Sequence, residues 1–216
     1  MRKIQKGRQP ESFDHWIRSN SGKRYNELPH EQRRAIRAAC IEEQSGLCAY
    51  CCHAITIDSA HNEHVDSQSL APARTLDFSN IVASCNHPDQ CGAAHKSRAL
   101  PLTALMDECE TEFKFFLSGA VKGLTPRADT AIKVLNLGDT RANNLALYNA
   151  RKTMIESLLF THSIDPSGLT LESEEVLTLL LEELQQPDRH NRLLPFAPVL
   201  VNVLRQNLQP SASREN

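Results

Sequence analysis

Two cysteine pairs constrain this chain more tightly than any other feature of it. Cys48 and Cys51 are separated by two residues in CAYC, Cys85 and Cys91 by five in CNHPDQC, and 33 residues lie between the pairs. A two-residue gap lets both thiolates reach one tetrahedral ion from a tight turn, and a second pair can complete a four-sulfur zinc site. The wider second gap leaves His87 open as a substitute ligand, and Cys52 stands as a competing thiol beside Cys51. Seven cysteines, odd in number and unevenly spaced, argue for metal binding or free thiols over a disulfide framework. A redox reading of CAYC lacks the βαβ surroundings it needs.

Such a clip would close everything between the pairs into one loop, holding His53, His61, Glu63, His64, Asp66, Asp77 and Asn80. Residues 46–102 have little helical periodicity and are rich in Cys, His, Asn, Asp and Ser, so a metal has to organise them if anything does. HAITID (53–58) has the β-branched composition of a strand, and a strand ending at EHV would present Glu63 and His64 to opposite sides. LDFSNIVASC reads as a polar start turning into a short helix, which brings Asn80 toward that strand. Beyond Cys91, GAAHKS adds His95 and Lys96.

The flanks read as ordinary globular chain. Residues 1–45 form an N-terminal helical segment, with Pro29 in a first helical turn, Ala35, Ile36, Ala39 and Cys40 on one face, and Gly46 as a stop. Upstream, Trp16 and Ile17 make an apolar spot on a shorter helix, a candidate for docking onto a partner. Residues 103–216 begin with a β-hairpin in EFKFFLSGAVKGL. Four helices then follow: RADTAIKVLNL, ending near Asn136; NNLALYNARKTMIESLLF, with Leu145, Tyr148, Lys152, Ile155 and Leu159 on one face; ESEEVLTLLLEELQQ; and LPFAPVLVNVLRQNL. The PSASREN tail reads as frayed. The predicted class is α+β.

Charge sharpens the reading. The net charge is −2, yet residues 1–45 carry ten Lys/Arg against six Asp/Glu, while residues 46–102 carry three against five. A generic polyanion binder is excluded, and contact with nucleic acid has to be local or assisted by a partner's positive field. The chain has no run of eighteen apolar residues, and its basic start lacks the apolar segment of a secretory signal. A cytoplasmic protein without a membrane span is expected.

A first cysteine pair, an acid–histidine pair, a central Asn, a second cysteine pair and a trailing basic residue resemble the HNH endonucleases, whose core is the ββα-metal (His-Me finger) fold. TIDSAHNEHVDSQSLAPARTLDFSNIVASC and AIKVLNLGDTRANNLALYNARK look like the retron-associated and Septu-type HNH proteins of antiphage defence, over nearly the whole chain. The resemblance implies that His64 is the general base and Asn80 the residue that orients it through a local backbone contact. Glu63 and His95 would bind the catalytic Mg²⁺ or Mn²⁺, Lys96 would meet a phosphate, and Cys48, Cys51, Cys85 and Cys91 would hold structural zinc. Two positions depart from the pattern. Ser67 stands where many relatives have Pro, and Gly92 stands where a last metal ligand often follows the final cysteine. The second departure leaves His61 and Asp66 as alternatives to His95.

The chemistry asks for these residue types. Phosphodiester hydrolysis needs a water deprotonated near neutral pH, which an imidazole of fixed tautomer can do. The crowded phosphate charge and departing 3′ oxygen need a hard cation with open water positions. The resemblance further implies DNA as substrate and an ABC/SMC-like ATPase as partner. A non-catalytic zinc-binding adaptor and an RNA nuclease fit the same residues.

Overall fold

In the computed structural model, which describes residues 1–166, 169 and 173–208, two small antiparallel sheets are set among helices. The N-terminal residues form α1 (Glu11–Ser19) and α2 (His30–Glu43). Pro29 is not inside α2 but precedes it as its cap residue. Phe13 anchors α1 in the core, while Trp16 and Ile17 pack only partly against it.

The first sheet pairs β1 (Ala60–His64) with β2 (Ile81–Cys85), from Ala60 opposite Cys85 to His64 opposite Ile81. Two expectations are corrected here. HAITID is not a strand: only Ala54 bridges, to Leu47, and the segment serves the turn that carries Cys48 and Cys51. The strand comes one step later, in the more polar AHNEH, because that segment finds a fully buried partner in β2. IVASC is that partner and not a helix. All five of its side chains are buried, and a short apolar run carries no periodicity to separate strand from helix. The helix follows at α3 (Cys91–His95), a single turn.

The hairpin forms as β3 (Phe113–Phe115) and β4 (Val121–Gly123), followed by α4 (Pro126–Leu135), α5 (Leu145–Thr161), α6 (Glu174–Gln185) and α7 (Ala197–Leu208). Thr125, Asn144 and Ser173 each accept a backbone N–H at the start of their helices, and Asn136 ends α4 in the left-handed region. The inward row of α5 is Leu147, Arg151, Ile155 and Leu159, so Ile155, Leu159 and the adjoining Leu147 of the expected apolar surface turn inward while Leu145 is exposed and Arg151 joins the row. The Arg151 guanidinium is buried yet donates to the carbonyls of Gly119, Leu137 and Gly138 at 2.6–2.7 Å, which satisfies it without a carboxylate. The PSASREN tail lies outside the described residues.

Candidate active site

The four sulfurs of Cys48, Cys51, Cys85 and Cys91 lie within 4.8 Å of one another, all buried. A tetrahedral zinc with bonds of about 2.3 Å separates its sulfurs by about 3.8 Å, and Cys51 and Cys85 stand 3.9 Å apart. The donor set and spacing fit zinc. The backbone around them also fits: Cys85 N–H points at the Cys48 sulfur at 3.3 Å, and the Gln90 amide at that of Cys85 at 3.7 Å. His87 is exposed against His53 and stands apart from the quartet. Cys40, Cys52 and Cys109 are separate buried thiols. Burial pushes Cys40 up to about 12 and Cys109 up to about 11, so they stay protonated and behave as small apolar side chains.

The clip positions everything else. Cys85 ends β2 and Cys91 begins α3, so the ion site fastens one end of the sheet to the helix. His64 sits at the other end of β1, about 13 Å away for four strand steps. Strand alternation divides the intervening side chains. His61 and Glu63 turn toward α3, while Asn62 and His64 turn toward the N-terminal segment, so Glu63 and His64 do face opposite ways.

On the α3 face, Glu63 lies between two histidines. Its Oε1 is 2.6 Å from His95 Nδ1 and its Oε2 is 3.5 Å from His61 Nε2. Each histidine is held on its far nitrogen by an oxygen that can only accept. His95 Nε2 donates to the Arg98 carbonyl at 2.7 Å. His61 Nδ1 donates to Asn86 Oδ1 at 2.9 Å, the orientation of that amide being fixed by its other end, which donates to the Asp58 carbonyl. Neutral rings would therefore aim two lone pairs at the carboxylate, and each contact calls for a shared proton or a cation. Burial pushes the Glu63 carboxyl up, but the bonds from His61 and His95 outweigh it and hold it below its ordinary value. Burial pulls His61 down, yet Glu63 and Asn86 together leave it raised.

Gly92 explains how His61 fits. A Cβ at position 92 would come within 2.5 Å of His61 Nε2 and 2.7 Å of Glu63 Oε2, so the missing side chain makes the space that His61 fills. Asp66, the other alternative, is turned away. Its carboxylate pairs with Arg74, and its side chain is 51% exposed. Among the described residues, only the cysteine quartet brings three or more such ligands to one point, so the Glu63 cluster is a row rather than a closed cage.

On the opposite face, His64 is buried. Its Nε2 donates to the Thr75 carbonyl at 2.9 Å, which leaves Nδ1 with the lone pair, 3.4 Å from the Gln68 amide. Burial pulls its pKa below the ordinary imidazole value, more than the Thr75 bond and the Glu63 charge raise it, so the ring is neutral near pH 7. Asn80, fully buried, touches the backbone as expected. Its Oδ1 accepts from Asp66 N–H at 2.8 Å and its Nδ2 donates to the Asp66 carbonyl at 3.0 Å, clamping the chain two residues past His64. Asn80 also receives the Val65 N–H at its own carbonyl, at 2.9 Å. Lys96 is exposed, one residue beyond His95. Thr75, Gln68 and Asn86 were not singled out in the sequence, where nothing distinguishes them from other polar loop residues.

A cleft of about 670 Å³, lined by Phe113, Phe115, Leu184 and Val201 among others, contains none of these groups. No helix among the described residues is long and apolar enough to cross a membrane. The chain matches no family model and no curated protein.

Proposed function

We propose that this chain is a metal-dependent HNH-type endonuclease that hydrolyses DNA phosphodiester bonds, the nuclease effector of a prokaryotic antiphage system of the Septu kind, acting with an ABC/SMC-like ATPase subunit. One observation carries the reading. A single short strand offers an imidazole nitrogen whose lone pair meets only the Gln68 amide, at 3.4 Å, on one face and a carboxylate flanked by two tautomer-fixed histidines on the other.

His64 Nδ1 takes the proton of the attacking water, and the Thr75 carbonyl steadies the imidazolium that forms. Glu63 with one of its flanking histidines, His95 or His61, would hold Mg²⁺ or Mn²⁺, whose charge would offset that building on the departing 3′ oxygen. For both faces to act together, the scissile phosphate has to lie across the end of β1. The cysteine quartet takes no part in the chemistry. The choice of DNA and of an ATPase partner rests on the resemblance in sequence, and a net charge of −2 is consistent with a partner that supplies the field DNA needs.

The test is nicking of supercoiled plasmid by the full chain in Mg²⁺ or Mn²⁺, alone and with its ATPase partner. His64→Ala should cut nicking by about 10²–10⁴-fold while the zinc content stays at wild type. A second reading, a zinc-binding adaptor without catalysis, is favoured by the 2.6 Å contact between Glu63 and His95, which as it stands is a closed pair. Under that reading His64→Ala protects cells from phage as well as wild type does. Single-stranded RNA run beside the plasmid separates the RNA nuclease from both.

A further inference from the structure

Strand alternation places Asn62 and His64 on the same face of β1, and one side chain from far upstream covers both. Tyr25 lies in a single 3₁₀ turn, Tyr25–Glu27, and is 8% exposed. Its ring meets the His64 ring at 4.6 Å and 86°, edge to face. Its hydroxyl accepts from Asn62 Nδ2 at 2.7 Å, and the same amide donates to the Arg33 carbonyl of α2 at 2.9 Å. Arg33 in turn lays its guanidinium over the Tyr25 ring at 5.7 Å and donates to the Asn26 carbonyl at 2.5 Å. The turn itself is closed by Glu27, whose carboxylate accepts the Arg24 N–H at 2.8 Å while Glu27 N–H returns to the Arg24 carbonyl at 3.0 Å. Tyr25 is therefore held at its hydroxyl, at its ring and at its turn.

His64 needs such a wall. A hydrogen bond from Nε2 to Thr75 leaves the imidazole free to rotate about the N–H···O axis, and the Gln68 amide at 3.4 Å is a weak restraint. An aromatic ring packed at right angles against the imidazole limits that freedom, and misplacement of a base by about 1 Å costs on the order of a hundredfold. We propose that Tyr25 is the positioning residue for His64, fixing the plane of its imidazole and so the direction of its Nδ1 lone pair. The proposal rests on His64 being the general base, and it gives the N-terminal segment a share in the active site.

The experiment is ¹⁵N NMR of the imidazole nitrogens in the full chain, with the His64 signals assigned by their loss in His64→Gln. Wild type should show one tautomer, protonated at Nε2. Tyr25→Leu should leave Nε2 protonated, since the Thr75 carbonyl still holds it, but shift and broaden the Nδ1 resonance as the ring loses its fixed plane, while zinc content is unchanged. In plasmid nicking the same variant should lose kcat by roughly tenfold to a hundredfold with KM within about twofold. Placed on His64→Ala, it should cost nothing further, because both act through one group. Asn62→Ala, which frees the hydroxyl but keeps the ring, should cost roughly threefold and serves where Tyr25→Leu does not fold. An unchanged Nδ1 resonance with unchanged kcat in either variant overturns the proposal and leaves the nuclease reading intact. Full nicking by His64→Ala overturns that reading instead.

Discussion

Two clusters of polar side chains lie beside each other on α3 and the β1–β2 pair, the cysteine quartet and the row of His61, Glu63 and His95, and they are built differently. The cysteine quartet is buried, closed and served by backbone N–H and amide donors, so an ion there has no position left for water. The Glu63 row is a line and not a cage, made of one carboxylate and two imidazoles, each imidazole held by a second partner on its far side. Soft, complete coordination stabilises a fold; hard, incomplete coordination leaves room for a substrate oxygen. The helix α3 joins them, starting on Cys91 and reaching His95 four residues later. One turn of helix thus carries both Cys91 of the quartet and His95 of the Glu63 row.

Breaking the quartet should have the largest effect. Metal binding at such a site contributes on the order of 10 kcal/mol to folding. Cys51→Ser is expected to release zinc and melt the segment from Cys48 to His95, read as zinc content and as lost hydrogen-exchange protection across β1 and β2. A zinc-free Cys51→Ser with wild-type protection would remove the quartet from the comparison.

His64→Ala comes next, and it acts on the other end of the strand. The expected loss is about 10²–10⁴-fold in nicking rate, with zinc and melting temperature close to wild type. Equal losses of zinc and activity would mean the two ends are not separable.

The contrast also explains what the sequence could reveal. Cysteine spacing is a covalent statement about reach, so the quartet was legible from CAYC and CNHPDQC. The strands were not. AHNEH has no β-branched residue, and it is a strand only because Ile81–Cys85 is available to pair with it. The assignment of Glu63 and His64 to opposite faces survived that shift, since alternation depends on the end of the strand and not on its start. His61 stayed ambiguous because its role depends on Gly92, distant in sequence, making room for it. Tyr25 was invisible, for no local pattern tells a turn residue that it will cover a histidine in another segment. The burial of Arg151 was not legible either, because its carbonyl partners at Gly119, Leu137 and Gly138 come from other segments.

Removing one imidazole from the Glu63 row should have a smaller effect than removing His64. His61→Ala and His95→Ala are each expected to raise the Mn²⁺ concentration needed for half-maximal nicking by roughly ten- to a hundredfold, by analogy with loss of a supporting group. His61→Ala is the more informative, because Asp66 is the competing candidate and is paired with Arg74. If Asp66→Ala shifts the Mn²⁺ requirement and His61→Ala does not, the assignment is reversed.

The finest test adds one methyl group. Gly92 lies in α3, where alanine favours the helix by up to about 1 kcal/mol over glycine, and its φ is not in the left-handed region. The atoms that a Cβ would strike are the tips of His61 and Glu63, which can swing aside without disturbing backbone. Gly92→Ala should therefore leave the melting temperature unchanged or slightly raised, and zinc fully bound, while the two ligand atoms separate. Nicking should fall by roughly tenfold, the scale expected when a ligand shifts by less than about 1 Å, and extra Mn²⁺ should recover part of it. A variant that melts at lower temperature would place Gly92 with the folding of the quartet. One that nicks normally at low Mn²⁺ would show that His61 and Glu63 need not stay together for the chemistry.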